Sequence, residues 1–141
     1  ATEVALSDKI ERVRDAVNAT KAAVEEGVVA GGEIALLNLA FNDLWKTHAN
    51  PGGDVLQESL KQPFKRLMEN AGLDYADSWN KIASKKYPFG IDVTDGQVKD
   101  MVKSGIIDPV KVVRLALENA ASISTMAITT KVLIADHEEK E

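Results

Sequence analysis

The sequence contains no cysteine among its 141 residues and only two histidines, His48 and His137. The lack of cysteine excludes disulfides, thiol catalysis and thiolate zinc sites. Two isolated histidines give no basis for a histidine metal centre either. We therefore predict that the side chains of this chain hold no metal ion.

Long apolar runs and clustered basic charge are also lacking. No stretch approaches the roughly 20 apolar residues that a membrane-spanning helix needs, and the first residues lack the pattern of a secretory signal. The 17 Lys and Arg residues and the 22 Asp and Glu residues are interspersed and give a net charge of −5. We therefore expect a soluble intracellular protein that binds neither membranes nor nucleic acid.

What remains is the composition of an ordinary globular domain. Hydrophobic residues make up 45% of the chain, and its length is sufficient for one buried core. The chain begins at Ala1 and its first methionine is Met68. We expect this start to be an engineered boundary or a cleavage point.

Apolar residues recur at helical spacing through most of the chain, which predicts a mainly α-helical fold. A first long helix is predicted from a Ser7 cap to Gly27. Another is predicted from an Asp54 cap to Gly72, with a kink at Pro63. The further predicted helices cover residues 34–45, 74–82 and 97–104, with a last long helix after the pair Asp108-Pro109.

Two segments carry the pattern of strands instead. Phe89, Ile91 and Val93 alternate with small or polar residues before an Asp95-Gly96 turn, which predicts a short strand and a β-hairpin. Residues 131–136 predict a C-terminal strand. Residues 28–32 are interpreted as an apolar turn, and residues 46–53 as a loop.

Several acidic residues have both an ordinary and a functional interpretation. Asp15 lies five positions after Ile10 and so roughly 140° around the helix from the start of the apolar stripe. It is either a solvated acid on an outer helix face or a carboxylate presented to a neighbouring cleft. Asp92, beside Gly90 on the alternating strand, is either an outward polar residue or a ligand contact.

The pair Gly31-Gly32 and the residue Asp108 are open to the same two interpretations. Glycines between two helices serve close packing, or they let a ligand approach the backbone. The pair lacks the Gly-Lys-Ser/Thr ending of a Walker loop. Asp108 before Pro109 is typical of a helix cap, and a capping carboxylate can also offer its second oxygen to a ligand hydroxyl.

Four segments of the sequence resemble one protein family. Residues 11–32, ERVRDAVNATKAAVEEGVVAGG, closely resemble the signature stretch of GroEL-like group I chaperonins. Residues 105–114, GIIDPVKVVR, and residues 126–130, MAITT, resemble the C-terminal motif of that family. Residues 1–4 resemble the strand that leads out of the hinge. The resemblance covers essentially the whole chain and is weaker over residues 33–104.

The resemblance implies a fold and a division of the chain. The fold class is mainly α, the helical half of a chaperonin equatorial domain with a short β-hairpin and a C-terminal strand. Residues 1–26 would be an intermediate-domain segment with the hinge strand and the helix of the catalytic aspartate. Residues 27–141 would be the C-terminal half of the equatorial ATP-binding domain, in a chaperonin that assists protein folding and refolding.

The resemblance also implies roles for individual residues. Asp15 matches the catalytic aspartate, which helps to position the water that attacks the ATP γ-phosphate, on a helix that swings onto the equatorial pocket. Asp108 matches the carboxylate that binds the ribose. The complete set of implied nucleotide-binding residues is Gly31, Gly32, Leu67, Ile91, Asp92, Val93, Ile106 and Asp108.

The sequence departs from the family at several places. Glu33 stands where a third glycine is usual, Ile91 replaces a usual aromatic residue, and the loop 46–53 is shorter. The phosphate-gripping glycine loop and the metal-binding aspartate of the family have no counterpart in this chain. We therefore expect half of a nucleotide site, with weak or no ATP turnover.

The implied cofactors are ATP or ADP with magnesium and potassium in the full-length family protein, with none bound by this chain as the alternative. The implied partners are other subunits in a ring, unfolded client proteins, and a co-chaperonin bound through an apical domain absent here. The implied location is the cytoplasm or an organelle matrix. The competing hypothesis is a structural, oligomerising unit without enzymatic function, and in either case we expect self-association.

Overall fold

A computed structural model describes residues 2–42 and 51–134 and confirms the mainly helical class. In chain order its elements are α1 (Glu3–Glu26), β1 (Val28–Ala30), α2 (Ile34–Ala40), α3 (Pro51–Asn70), α4 (Tyr75–Ile82), β2 (Phe89–Asp92), β3 (Gln97–Asp100), β4 (Ile107–Pro109) and α5 (Val110–Thr129).

Helix α1 begins earlier than predicted. The hydroxyl of Thr2 accepts a hydrogen bond from the Ala5 N–H at 3.3 Å and so satisfies one of the free donors of the first turn. The predicted start at Ser7 is therefore wrong, and so is the hinge strand at residues 3 and 4, while Ala1 lies outside the described residues. The end is as predicted, since Gly27 adopts φ 85° and its N–H donates to the Ala23 carbonyl.

An antiparallel ribbon joins two segments that are distant in sequence. Strand β1 pairs with β4, with Val28 opposite Pro109 and Ala30 opposite Ile107. The predicted apolar turn over residues 28–32 is therefore wrong for residues 28–30, because their backbone groups are paired with residues 107–109. The ribbon brings the end of α1 next to the start of α5.

The predicted hairpin is confirmed, but its second arm was assigned wrongly. Strands β2 and β3 pair with Phe89 opposite Asp100 and Asp92 opposite Gln97, around a turn that ends at Gly96 with φ 68°. The helix predicted over residues 97–104 is therefore a strand followed by turns up to Gly105. Pairing with β2 overrides the local helical pattern, as tertiary contacts commonly do for short segments.

The core lies between α2, α3, α4 and the hairpin. Its largest fully buried side chains are Phe64, Met68, Ile91 and Met101. Helix α3 begins at Pro51, a residue suited to the first turn, so the loop predicted up to Gly53 is wrong at residues 51–53. The helix predicted over 34–45 is confirmed to Ala40 and is wrong at Phe41 and Asn42, where the helix has ended, while residues 43–50 lie outside the described part of the chain.

Helices α1 and α5 contribute little to this core, since neither has a buried residue. They contact each other where the ribbon brings them together, through a Lys111–Glu25 ion pair and an Arg114–Glu26 pair at 2.6 Å. Within the described residues, no helix combines the length and the apolar character required to cross a membrane.

The predicted C-terminal strand is absent from the residues that the structure describes. Residues 131–134 have no regular structure and follow α5 directly, and Ile134 is 90% exposed. No strand among the described residues lies beside them, so their backbone groups have no ladder to join. Residues 135 and 136 lie outside the described part.

Because Phe64 is fully buried and its ring contacts Tyr75 edge-on, we expect Phe64→Ala to lower the free energy of unfolding by about 3–5 kcal/mol. Val55→Ala is a control on the same helix, since Val55 is 68% exposed, and it should cost under about 0.5 kcal/mol. Urea unfolding followed by circular dichroism measures both. Equal losses in the two variants would contradict the proposed core.

Candidate functional site

The turn between β1 and α2 lies against the segment before β4. The Gly31 N–H donates to the Ile106 carbonyl at 2.9 Å. A Cβ on Gly31 would lie 3.1 Å from the Ile106 carbonyl carbon, closer than side chains normally approach. Gly32 has φ 64°, and a Cβ there would meet the Met101 methyl carbon at 2.7 Å. Close backbone packing therefore favours glycine at position 31, and the left-handed backbone favours glycine at position 32, whatever else the two residues do.

Glu33 completes this turn in a strained conformation. Its φ of 62° is left-handed, a region in which a residue with a side chain is disfavoured. It precedes α2 but its side chain makes no capping hydrogen bond. The side chain is half-buried, and burial, followed by the negative charge of Asp108, raises the pKa of its carboxyl group. The structure thus brings Glu33 and Asp108 to one place.

Asp108 is a strand residue and not the helix cap that the sequence predicted. It lies in β4 opposite Val29, while Pro109 takes the cap position of α5 without any side-chain hydrogen bond. Asp108 is half-buried, and this burial raises the pKa of its carboxyl group. Its side chain makes no hydrogen bond or ion pair with the described residues, so both carboxyl oxygens are available.

The three predicted site residues of the hairpin differ in burial and in hydrogen bonding. Ile91 is buried, with its carbonyl oxygen 3.8 Å from where a Cβ on Gly32 would lie. The Asp92 carboxylate accepts from Lys99 Nζ at 2.6 Å, and from the hydroxyl and N–H of Thr94 at 2.6 and 3.0 Å. These contacts, the Lys99 hydrogen bond first, lower the pKa of Asp92 to about 2. Val93 is exposed in the turn that follows.

Leu67 and Ile106 are partly buried and pack against the core cluster that contains Ile91 and Met101. They therefore form part of the same apolar wall as the hairpin. Of the predicted nucleotide-binding residues, the structure brings together the glycine pair, Ile91, Ile106 and Asp108, and places Leu67 on the same core.

Asp15 is not part of this arrangement. It is exposed in the middle of α1. Because an α-helix rises about 1.5 Å per residue, Asp15 lies roughly 18 Å along the helix axis from Gly27, where the ribbon begins. Within the described residues, no group of three or more His, Cys, Asp or Glu side chains could hold a metal ion.

Two residues of this region were not predicted from the sequence. Met101 fills the space beside Gly32, and the Tyr87 hydroxyl accepts a hydrogen bond from the Ala30 N–H at 2.9 Å. Met101 was not predicted because it lies in residues 97–104, which were interpreted as a helix. No local sequence pattern predicts the contact of Tyr87, because its hydrogen-bond partner Ala30 lies 57 positions earlier in the chain.

Two comparisons with known proteins bear on this arrangement. The profile of the TCP-1/cpn60 chaperonin family matches residues 1–138. The chain belongs to the TCP-1/cpn60 chaperonin family. A solved structure described as the crystal structure of a group III chaperonin in the open state is similar to the chain, with a TM-score of 0.82 and 26% sequence identity.

The match covers 95% of this chain and 29% of the group III chaperonin chain. The chaperonin prediction is therefore confirmed at the level of the family, and the helical fold class agrees with it. The narrower assignment to group I stays a prediction, as does the division of this chaperonin chain at residue 26. The roles of the individual site residues also stay predictions.

The lowered pKa of Asp92 predicts an acid-sensitive hairpin in this chaperonin chain. A carboxylate whose pKa is lowered by folding stabilises the fold fully at a pH above the ordinary pKa of 3.8. This contribution is lost as the pH falls through the folded-state pKa of about 2. We therefore expect Asp92→Asn to be less stable than the native chain above pH 3.8, with a difference that disappears as the pH falls below about 2.

Urea unfolding across this pH range measures the effect, with Asp8→Asn as a control because Asp8 is exposed on α1 and makes no ion pair with the described residues. A stability difference for Asp92→Asn that does not depend on pH would contradict the role of its charge.

The raised pKa of Glu33 predicts the opposite dependence on pH. A carboxyl group whose pKa is raised by folding destabilises the fold once the pH exceeds the ordinary pKa of 4.5. The destabilisation grows until the pH has passed the folded-state pKa. We expect the Glu33→Gln variant to be more stable than the native chain at a pH above the folded-state pKa of Glu33. At a pH below 4.5 the two should be equally stable.

Glu33→Gly should add about 1 kcal/mol at every pH, because it also relieves the left-handed backbone. The same urea titrations measure both variants. A Glu33→Gly variant no more stable than Glu33→Gln would show that the backbone strain is absent.

Proposed function

We propose that this chain contributes one wall of the ATP site, together with ring contacts, to a chaperonin that assists the folding and refolding of other proteins. The observation that carries the proposal is the carboxyl group of Asp108. It is half-buried, its pKa is raised by burial, and it makes no hydrogen bond with the described residues.

A desolvated carboxylate without donors is poorly stabilised, since the water it loses is not replaced. Two neighbouring hydroxyl groups, such as those of a ribose, would restore those hydrogen bonds in a charge-assisted form. The backbone of Ile106 and Ile107, just before Asp108, lies against Gly31, whose lack of a side chain permits this close approach. An ATP ribose at Asp108 is consistent with both features.

The adenine would lie against Ile106, which is partly buried, since Ile91 of the same apolar cluster is fully buried. Val93 is exposed and free to make a further contact. Asp92 would take part only through its remaining hydrogen-bonding capacity, since Lys99 and Thr94 already bind its carboxylate. We therefore expect Asp92 to contribute less to nucleotide affinity than Asp108.

Asp15 would act as the catalytic residue after a movement of α1. Phosphoryl transfer needs a positioned water more than covalent chemistry from the protein, and a carboxylate can orient that water. The roughly 18 Å between Asp15 and Gly27 along α1 requires the helix to swing. Gly27 has φ 85° and no atom within 4 Å of a Cβ built on it, which leaves room for such a pivot.

The metal ions of the reaction would be held elsewhere in the complete subunit. Magnesium prefers oxygen ligands at octahedral geometry and neutralises charge on the β- and γ-phosphates. The described residues of this chain offer no cluster of carboxylates for it. We therefore propose that ATP turnover, with magnesium and potassium, belongs to the complete subunit, and that this chain alone has little or none.

The remaining activities concern protein beyond this chain, which spans 29% of the matched chaperonin. We propose that the complete protein assembles into a ring with other subunits and folds unfolded client proteins. A co-chaperonin would bind through an apical domain. The cytoplasm or an organelle matrix is the proposed location.

A second candidate function is a structural, oligomerising unit without nucleotide binding. The observation that favours it is the apolar surface that α1 and α5 leave exposed, for example Val24 and Ile128, both 83% exposed. Apolar surface of this extent is usually covered by another part of the protein or by a partner.

We expect calorimetric titration of the chain with ADP, magnesium and potassium to give saturable binding that Asp108→Ala weakens by roughly 1.5–3 kcal/mol, the range for hydrogen bonds to a charged group. Asp8→Ala removes an exposed carboxylate on α1 that forms no ion pair with another described residue, and it should leave the affinity unchanged.

Binding that Asp108→Ala and Asp8→Ala leave equally strong would contradict the ribose role of Asp108. If no binding occurs at any concentration, the half-site has no affinity of its own and the structural function is the one that remains.

A further inference from the structure

One edge of strand β1 has no neighbouring strand among the described residues, since β1 and β4 form a two-stranded sheet. At the two ends of their pairing, the Val110 N–H donates to the Gly27 carbonyl at 3.1 Å and the Gly31 N–H donates to the Ile106 carbonyl at 2.9 Å. Hydrogen-bonded positions alternate along an antiparallel pair, so the N–H of Ala30 points away from β4. Ala30 is fully buried, and its N–H therefore needs an acceptor from another part of the fold.

That acceptor is the hydroxyl of Tyr87, 2.9 Å from the Ala30 nitrogen. Tyr87 comes 57 positions later in the chain, shortly before β2. Its side chain is 44% exposed and lines a surface groove together with Ile34 and Phe89. A single side chain thus reaches from the surface to the ribbon and supplies the acceptor that a neighbouring strand would otherwise provide.

The backbone around Tyr87 is held in place by the hairpin. The Phe89 N–H donates to the Lys86 carbonyl at 3.1 Å, which closes a turn around Tyr87. The Met101 N–H donates to the Pro88 carbonyl at 3.2 Å, which ties this turn to the residue after β3. Because its backbone is fixed at both sides, the Tyr87 hydroxyl links the hairpin to the ribbon at a defined distance.

The turn between β1 and α2 depends on links of this kind. Gly31 and Gly32 have no side chains with which to anchor it. On the side of β4 the Gly31 N–H is bound by the Ile106 carbonyl, and the Met101 side chain lies next to Gly32. On the opposite edge Tyr87 binds the residue that immediately precedes the glycine pair. The turn is therefore held from both edges of β1.

We propose that Tyr87 is a positioning residue of the candidate nucleotide site. Its hydroxyl holds the backbone of Gly31 and Gly32 in the arrangement that accepts a nucleotide beside Asp108, and Tyr87 itself does not touch the nucleotide. Without this hydroxyl the turn adopts the binding arrangement for only part of the time, and the affinity falls by that fraction. The inference rests on the proposed ATP site. The competing interpretation is that Tyr87 only satisfies the buried Ala30 N–H.

Tyr87→Phe tests the proposal, because it keeps the ring and removes only the hydroxyl. We expect calorimetric titration with ADP, magnesium and potassium to give about tenfold weaker binding than for the native chain, the factor for a turn that is correctly placed about one tenth of the time. The matched control is Tyr75→Phe on α4. The Tyr75 hydroxyl makes no hydrogen bond with another described residue, so this variant should keep the native affinity.

A second control separates positioning from stability, since the loss of a buried hydrogen bond also destabilises the fold. Leu60→Ala removes a buried side chain of α3 that lies outside the main core cluster. It should cost at least as much stability as Tyr87→Phe, because it leaves a cavity. At a temperature where both variants are folded, we expect Leu60→Ala to bind ADP with the native affinity.

Amide hydrogen exchange measured by NMR reports on the turn itself. The Gly31 N–H keeps its acceptor on Ile106 in Tyr87→Phe, yet we expect it to exchange about tenfold faster because the turn opens more often. Saturating ADP should slow this exchange again, since the nucleotide selects the ordered turn. The Val110 N–H at the other end of the ribbon is the internal control and should exchange at the native rate.

Three results would overturn the proposal. If the native chain binds ADP and Tyr87→Phe binds it equally well, the positioning role fails while the ATP site stands. If Leu60→Ala weakens binding as much as Tyr87→Phe, or if Gly31 and Val110 both exchange faster to the same extent, the effect is a general loss of stability. If the native chain binds no ADP, the proposed ATP site fails and this inference fails with it.

Discussion

The pairing of β1 with β4 is the interaction on which the rest of this structure depends. It is only three residues long on each side, yet it joins segments about 80 positions apart and fixes the Gly31 backbone against Ile106 at 2.9 Å. Through it the end of α1 meets the start of α5, and the Lys111–Glu25 and Arg114–Glu26 pairs then form. Without the ribbon, neither long helix would have a fixed direction, because neither has a buried residue.

The same pairing decides the electrostatics of the candidate site. It carries Asp108 to the neighbourhood of Glu33 and removes water from both carboxyl groups, so the pKa of each is raised. Asp92 has the same chemical group but the opposite behaviour, since Lys99 and Thr94 supply donors and lower its pKa. A carboxyl group without donors is open to a ligand, whereas one already bound within its own hairpin has less hydrogen-bonding capacity left for a ligand.

Burial in this chaperonin chain is uneven, and the unevenness has consequences for function. The buried side chains are gathered in the end of β1, α2, α3, α4, the hairpin and the turn after it, while α1, α5 and residues 131–134 expose much of their apolar surface. A helix without a packed face can change direction at low cost, which suits the proposed swing of α1 about Gly27. The same exposed surface suits the proposed contacts with other subunits, so the proposed swing of α1 and the proposed assembly would both depend on one property of the fold.

The sequence by itself determined the helical class, the hairpin turn at Asp95-Gly96 and the chaperonin family, because these depend on local periodicity, turn residues and the order of long motifs. Only the tertiary structure decided that residues 28–30 and 97–100 are strands, that Thr2 caps α1, and that Asp108 is not a helix cap. Each of the two strands depends on a partner that no local pattern specifies.

The residues of the candidate site divide in the same way. Gly31, Gly32 and Asp108 could be named from motif and composition, since glycine pairs and acidic residues before proline are visible in the sequence. The contacts of Met101 and Tyr87, the strain at Glu33 and the binding of Asp92 by Lys99 could not. They arise from distances between segments that the sequence separates, and burial and charge take effect only once the fold has brought those segments together.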